Sequence, residues 1–203
     1  MVNSRLNNKQ EELWGGSFGS DYHERNPIAG SRVGYWRRVL RDCATHEVHT
    51  ALEFGCGKGD NLIALGQIIP RCARYGVEIN PGAAAYARSQ GFYTITGSIF
   101  GEPPDIADLV ITRGLLIHIH PDNIPRALGI IGNASKRYVV LAEYYAPTTR
   151  EITYHDEIQA CWADDYCGLF LKQCPEFKLL DYGFSYGGAG GDDTTFFLLE
   201  RRR

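Results

Sequence analysis

The sequence predicts an α/β fold: a seven-stranded, mostly parallel sheet with helices on both faces and a C-terminal antiparallel hairpin. Two patterns carry this expectation. Short apolar runs alternate with amphipathic stretches from residue 31 onward, as they do when helices cover both faces of a parallel sheet. The chain then changes character, placing two β-rich runs, FKLLDYGFSY and TTFFLLER, on either side of a flexible GGAGGDD. At 203 residues and 44% hydrophobic composition there is material for one good-sized core and no room for a second full domain. The expected division is an N-terminal arm over 1–30 and a single domain over 31–203.

Taken in order, residues 1–12 are polar and read as frayed. A helix begins near Ser31, a capping residue, with Val33, Trp36, Val39, Leu40 and Cys43 at helical spacing and Arg37, Arg38 and Arg41 on its wet face. An apolar strand over 50–54, a helix over 60–69 and a second strand over 73–79 follow. Pro81 suits the first turn of the next helix. Residues 92–96 and 107–112 are the third and fourth strands, with a helix over 121–134 behind them. The fifth strand, 137–144, is apolar enough to be central. The connection from 146 to about 161 is long, a feature that base rates associate with function or mobility.

The strongest local signal is Glu53-Phe54-Gly55-Cys56-Gly57-Lys58-Gly59, directly after a strand and directly before a helix. Glycines here permit a tight turn and let backbone amides approach a ligand where a β-carbon would collide. A dinucleotide loop would carry glycine at Asp60, and a pyrophosphate would be repelled by Glu53 and Asp60, whereas a cationic sulfonium with an α-amino group would not. The acidic flanks therefore favour S-adenosylmethionine, with S-adenosylhomocysteine as product. Glu78, at the end of the second strand, is placed to accept hydrogen bonds from both ribose hydroxyls, the alternative being a cap on the following helix. Ile79 then lies under the adenine ring. Cys56, Asn61 and Gly114 complete the loop-side candidates.

The order Glu53, Glu78, Leu115-Leu116-Ile117-His118 is similar to class I S-adenosylmethionine-dependent methyltransferases over roughly 48–134, and the strand count fits their sheet. The resemblance implies that Gly97, Ser98 and Ile99 border the adenine, with Ser98 where the fold usually has an acidic residue. A narrower resemblance covers nearly the whole chain. Trp14-Gly15-Gly16-Ser17-Phe18-Gly19 with Tyr22 and Arg25-Asn26, Thr112-Arg113-Gly114-Leu115-Leu116-Ile117-His118-Ile119, Ala142-Glu143-Tyr144-Tyr145 and Asp192-Asp193 look like the pseudaminic acid biosynthesis-associated methylases. That resemblance implies a nonulosonic-acid pathway sugar or related glycan precursor as acceptor, and favours an aromatic lid of Trp14, Phe18 and Tyr22, with Arg25 and Asn26 hydrogen-bonding the cofactor, over the alternative of an arm stapled to the sheet edge. The stretch around 151–165 is more acidic than that family's pattern.

Methyl transfer is an in-line displacement that needs alignment, exclusion of water and, for some acceptors, a base; it needs no metal. Candidates lie at the carboxyl ends of strands four and five. His118 is either the base or a helix anchor, and His120 reads as a cap. Arg113 pairs with a ligand carboxylate or with Glu53 or Asp108. Of Glu143, Tyr144 and Tyr145, strand alternation aims at least one into the pocket. A natural-product or amino-acid-type acceptor and a catalytically silent S-adenosylmethionine-binding protein remain as other readings.

The six cysteines form no CxxC pair and read as reduced thiols. A net charge of −3, with Glu151, Asp156, Glu157, Asp164 and Asp165 in the long connection, disfavours nucleic acid and points to a small polar or carboxylate-bearing acceptor. No run of 18 apolar residues is present, so a cytoplasmic protein without membrane contact is expected, as monomer or homodimer.

Overall fold

The computed structural model of the chain describes residues 9–26, 32–153, 160–187 and 193–202. The apolar runs become strands β1 (Thr50–Phe54), β2 (Ala73–Glu78), β3 (Tyr93–Thr96), β4 (Ala107–Arg113) and β5 (Ser135–Glu143). A short pair, β6 (Arg150–Glu151) with β7 (Trp162–Ala163), stands apart, and β8 (Phe177–Ser185) and β9 (Thr194–Arg201) follow. The main sheet has seven strands in the order β3-β2-β1-β4-β5-β9-β8. Neighbours among the first five are parallel, and β9 runs antiparallel to both β5 and β8.

The helices are α1 (Lys9–Gly15), α2 (Ser17–Arg25), α3 (Val33–Val39), α4 (Asp60–Ile68), α5 (Pro81–Ser89), α6 (Ile124–Ala134) and α7 (Tyr166–Gln173). β1 shows why both faces are covered. Leu52 and Phe54 face a core shared with Leu128, Ile131 and Phe170, while Ala51 faces Trp36, Leu62 and Leu65 on the other side. Each fully buried large side chain of this kind contributes about 1.5–3 kcal/mol. α5 starts where its sequence says it must: the Asn80 side chain accepts from the Ala83 amide and Pro81 takes the first turn.

Several expectations change. The N-terminal stretch read as frayed is helical from Lys9, and Ser31, the expected cap of α3, lies outside the described residues. The helix expected from Pro121 opens as a 3-10 turn over Pro121–Asn123, with the His120 side chain accepting from the Asp122 amide, before α6 begins. α7 was not anticipated: its eight residues YCGLFLKQ are too short and too apolar for periodicity to separate helix from buried strand. Asp164 and Asp165, counted as repelling charge, are engaged locally. Asp164 accepts from Thr149 Oγ1 and the Asp165 amide, and Asp165 caps α7 through the Gly168 amide. All six cysteines are unpaired thiols. Among the described residues no helix is long and apolar enough to cross a membrane.

Candidate active site

Chain order reverses direction in the sheet between β1 and β4, and the ligand crevice of an open α/β sheet forms at such a switch point, beyond the carboxyl ends of the strands. There the register sets Phe54 beside Thr112, so the glycine loop and the Arg113-Gly114 turn leave the sheet side by side. Gly57 lies at φ +54°, a left-handed conformation that a side chain disfavours, and a β-carbon there would sit 3.2 Å from the His23 ring. Its amide donates to Glu78 Oε2 at 2.8 Å, and the Asn80 amide donates to Glu78 Oε1 at 2.8 Å. Burial pushes the Glu78 carboxyl above its ordinary range, opposed by the amides of Asn80, Gly57 and Ile79.

Under the loop, Asn61 is held at both ends of its amide. Its Oδ1 accepts from Trp36 Nε1 at 3.1 Å and from Arg32 at 3.0 Å, and its Nδ2 donates to Glu53 Oε1. Glu53 is fully buried, and desolvation drives its carboxyl up to about 8 against the Asn61 hydrogen bond and the charges of Arg32 and Arg113. Arg32 also pairs with Asp60 at 3.6 Å. Arg113 stacks over the Tyr35 ring, 5.4 Å from its centroid, and its Nε is buried without a hydrogen-bond partner among the described residues.

Helices α1 and α2 roof the crevice. Asn80 Nδ2 donates to the carbonyls of Trp14 and Gly16 and to Ser20 Oγ, and Lys58 Nζ donates to the His23 carbonyl at the end of α2. The close approach of α2 to the end of α1 demands Gly19, where a β-carbon would come within 1.9 Å of the Trp14 carbonyl oxygen. Trp14 packs edge-on against Phe18 and Tyr22 and lies 4.2 Å, ring centre to ring centre, from His118. The His118 Nδ1 stands 2.8 Å from the Ala160 carbonyl oxygen, a contact that requires the proton on Nδ1 and puts the lone pair on Nε2. The cavity measures about 740 Å³, within the roughly 300–1,000 Å³ of small-molecule sites.

The methyltransferase domain family matches residues 28–173. The chain belongs to that family. No curated protein matches the sequence. Among solved structures, magnesium protoporphyrin IX methyltransferase from Synechocystis PCC 6803, with bound SAM, aligns at TM-score 0.71 and 16% identity, covering 98% of this chain and 100% of that one. Burkholderia thailandensis 1,6-didemethyltoxoflavin-N1-methyltransferase aligns at TM-score 0.68 and 16% identity over 100% of this chain and 98% of that one. The N-methyltransferase NodS from Bradyrhizobium japonicum aligns at 0.65 and 14% identity, over 85% and 95%. At these identities the likeness establishes the class I methyltransferase fold.

For a member of this family the placement of the sequence candidates is informative. Tyr22, Arg25, Asn26, Gly55, Cys56, Gly57, Asn61, Glu78, Ile79, Gly97, Ser98, Ile99, Arg113, Gly114 and His118 all line the one cavity. Glu53, Glu143, Tyr144 and Tyr145 do not. Glu53 sits below the surface and acts through Asn61. Glu143 turns to the amides of Leu115 and Ile117, because a turn following a strand leaves backbone donors that a buried carboxylate can satisfy together. β5 ends at Glu143, so strand alternation no longer governs Tyr144 and Tyr145, and both line a second cavity with Arg150 and Phe184. Asp108, weighed as a partner for Arg113, instead accepts from the His49 and Thr50 amides. The sequence reading passed over Glu11, His23, Arg32 and Lys58 as cavity residues. Only their neighbours in the arm and the loop signalled them.

Proposed function

We propose that the chain transfers a methyl group from S-adenosylmethionine to a small polar acceptor. The observation that carries this reading is the Glu78 carboxylate, clamped by the Gly57 and Asn80 amides at the rim of the glycine loop, with lone pairs left for two vicinal hydroxyls. A ribose held there directs its base toward β3 and its amino-acid tail toward β4. At that second end Arg32 and Arg113 repel each other, and a carboxylate between them relieves the repulsion. Asp60, which lines the cavity, favours the ammonium and sulfonium charges.

When bound, the cofactor supplies an electrophilic methyl group; the chain must align the acceptor, exclude water and hold a proton where one is released. Trp14 and Tyr22 exclude water from above. His118, with its lone pair on Nε2, takes the proton. His120 and Asn123 add polar contacts on the acceptor side of the cavity. The cavity wall carries Arg25, Arg32, Lys58 and Arg113 against Glu11, Asp60 and Glu78, a near balance that suits a small molecule with one carboxylate better than a polyanion. The Burkholderia neighbour, solved with 1,6-didemethyltoxoflavin and S-adenosylhomocysteine, supports a small-molecule acceptor. The resemblance of the arm and of the 112–119 segment makes a nonulosonic-acid pathway sugar the first candidate.

The test couples calorimetry with S-adenosylhomocysteine and NAD to labelled methyl transfer onto sugar acids, amino acids, tRNA and duplex DNA. Binding of S-adenosylhomocysteine alone and labelling of a small acid are expected. Labelling of nucleic acid with none of the small acids, or binding of NAD in preference, overturns the reading.

A further inference from the structure

The adenine end of the site has a gap in its chemistry that the arm fills. On the reading above, the base lies against Ile79 and the turn after β3, Gly97-Ser98-Ile99. An adenine presents an exocyclic amino group, and a selective site must offer that donor an acceptor. Ser98 is a poor one here. Its oxygen already accepts from the Phe100 amide at 3.0 Å, and its hydrogen is donated to Glu11 Oε1 from helix α1. Glu11 itself lines the cavity, one helical turn before Trp14. A serine in the turn after β3 has thus recruited a carboxylate from the roof.

We propose that Glu11 is the adenine-specificity residue of this enzyme: the arm, not the β3 turn, supplies the acceptor for the exocyclic amino group, and Ser98 positions it. The inference rests on the proposed cofactor. One carboxylate oxygen is occupied by the Ser98 hydroxyl, and the other accepts from the base. Base recognition and arm closure are then one event, because the acceptor exists in the site only while α1 is docked. Asn80 and Lys58, which tie the rest of the arm down, hold Glu11 in place from a distance.

The experiment compares S-adenosylhomocysteine with S-inosylhomocysteine by calorimetry. Hypoxanthine replaces the amino donor with a carbonyl oxygen, which would face the Glu11 carboxylate. Wild type should prefer the adenine ligand by about tenfold or more. Glu11→Ala should weaken S-adenosylhomocysteine by a similar factor and bring the preference toward unity, and Ser98→Asp in the Glu11→Ala background should restore it. If Glu11 merely anchors the arm, both ligands weaken equally and the preference survives, which overturns the proposal. So does an unchanged dissociation constant in Glu11→Ala. A wild type that binds neither ligand overturns the cofactor reading as well, whereas tight but Glu11-independent adenine selectivity overturns this inference alone.

Discussion

Glu78 performs two tasks with one carboxylate: it ties the glycine loop to the β2 turn through the Gly57 and Asn80 amides, and it faces the cavity. Its place was legible from spacing alone, since a carboxylate some twenty residues beyond a glycine loop falls at the end of the adjacent strand. Glu78→Ala should cost about 1.5–3 kcal/mol of S-adenosylhomocysteine affinity, roughly a tenfold to 150-fold rise in the dissociation constant by calorimetry. An unchanged isotherm in a folded variant removes Glu78 from the site. Glu53 and Glu143 were harder to read. Both are carboxylates at strand ends, like Glu78, yet both are turned inward to protein donors. Depth below the surface has no one-dimensional signature.

At the level of elements, the arm is the informative case. Trp14-Gly15-Gly16-Ser17-Phe18-Gly19 signalled a special turn, but not that two short helices flank it, because neither is long enough to establish a period. Asn80 joins this roof to the domain: its Oδ1 caps α5 and its Nδ2 reaches three acceptors in the arm. Asn80→Ala should therefore destabilise the fold by about 0.5–2 kcal/mol through the lost cap and, separately, speed amide exchange across α1 and α2 while β1 stays protected. Hydrogen exchange by mass spectrometry measures both. S-adenosylhomocysteine should slow arm exchange in the wild type; arm protection indifferent to both ligand and Asn80 would mean the arm is only stapled to the sheet.

Across the whole molecule the buried carboxyls set the pH response. Burial raises Glu53 to about 8 and Glu143 to about 7, and raises Glu78 as well. Each holds its proton to a higher pH in the folded chain than in the unfolded one, so this stability is full below the ordinary carboxylate range and is lost as pH rises through 7 and 8. His23 runs the other way: burial, then Lys58, lowers it, so its contribution is present above 6.5 and is lost on acidification. From pH 6.5 to 8 the carboxyls dominate, with the buried thiols, also raised by burial, adding to the loss at the alkaline end, and the urea midpoint should fall. Glu53→Gln, which keeps the oxygen that accepts from Asn61, should flatten much of that slope. A wild-type midpoint constant over this range contradicts the assignment. Asn61, Arg32 and Arg113 temper the rise of Glu53, and the Asp60 charge adds to it.

The parallel core, the glycine loop, Glu78 and the terminal hairpin could be read from the chain because each is governed by local periodicity, turn chemistry or fixed spacing. β1 falls on the predicted residues, and β2, β4 and β5 within two. Three dimensions were needed wherever two distant segments share one polar group. Glu11 meets Ser98 across 87 positions, Lys58 meets the His23 carbonyl across 35, and Asn61 gathers Trp36, Arg32 and Glu53. Residue type shows that a hydrogen-bonding group exists; only packing decides which partner satisfies it, because burial makes an unpaired polar group costly and the nearest partner in space is seldom the nearest in sequence.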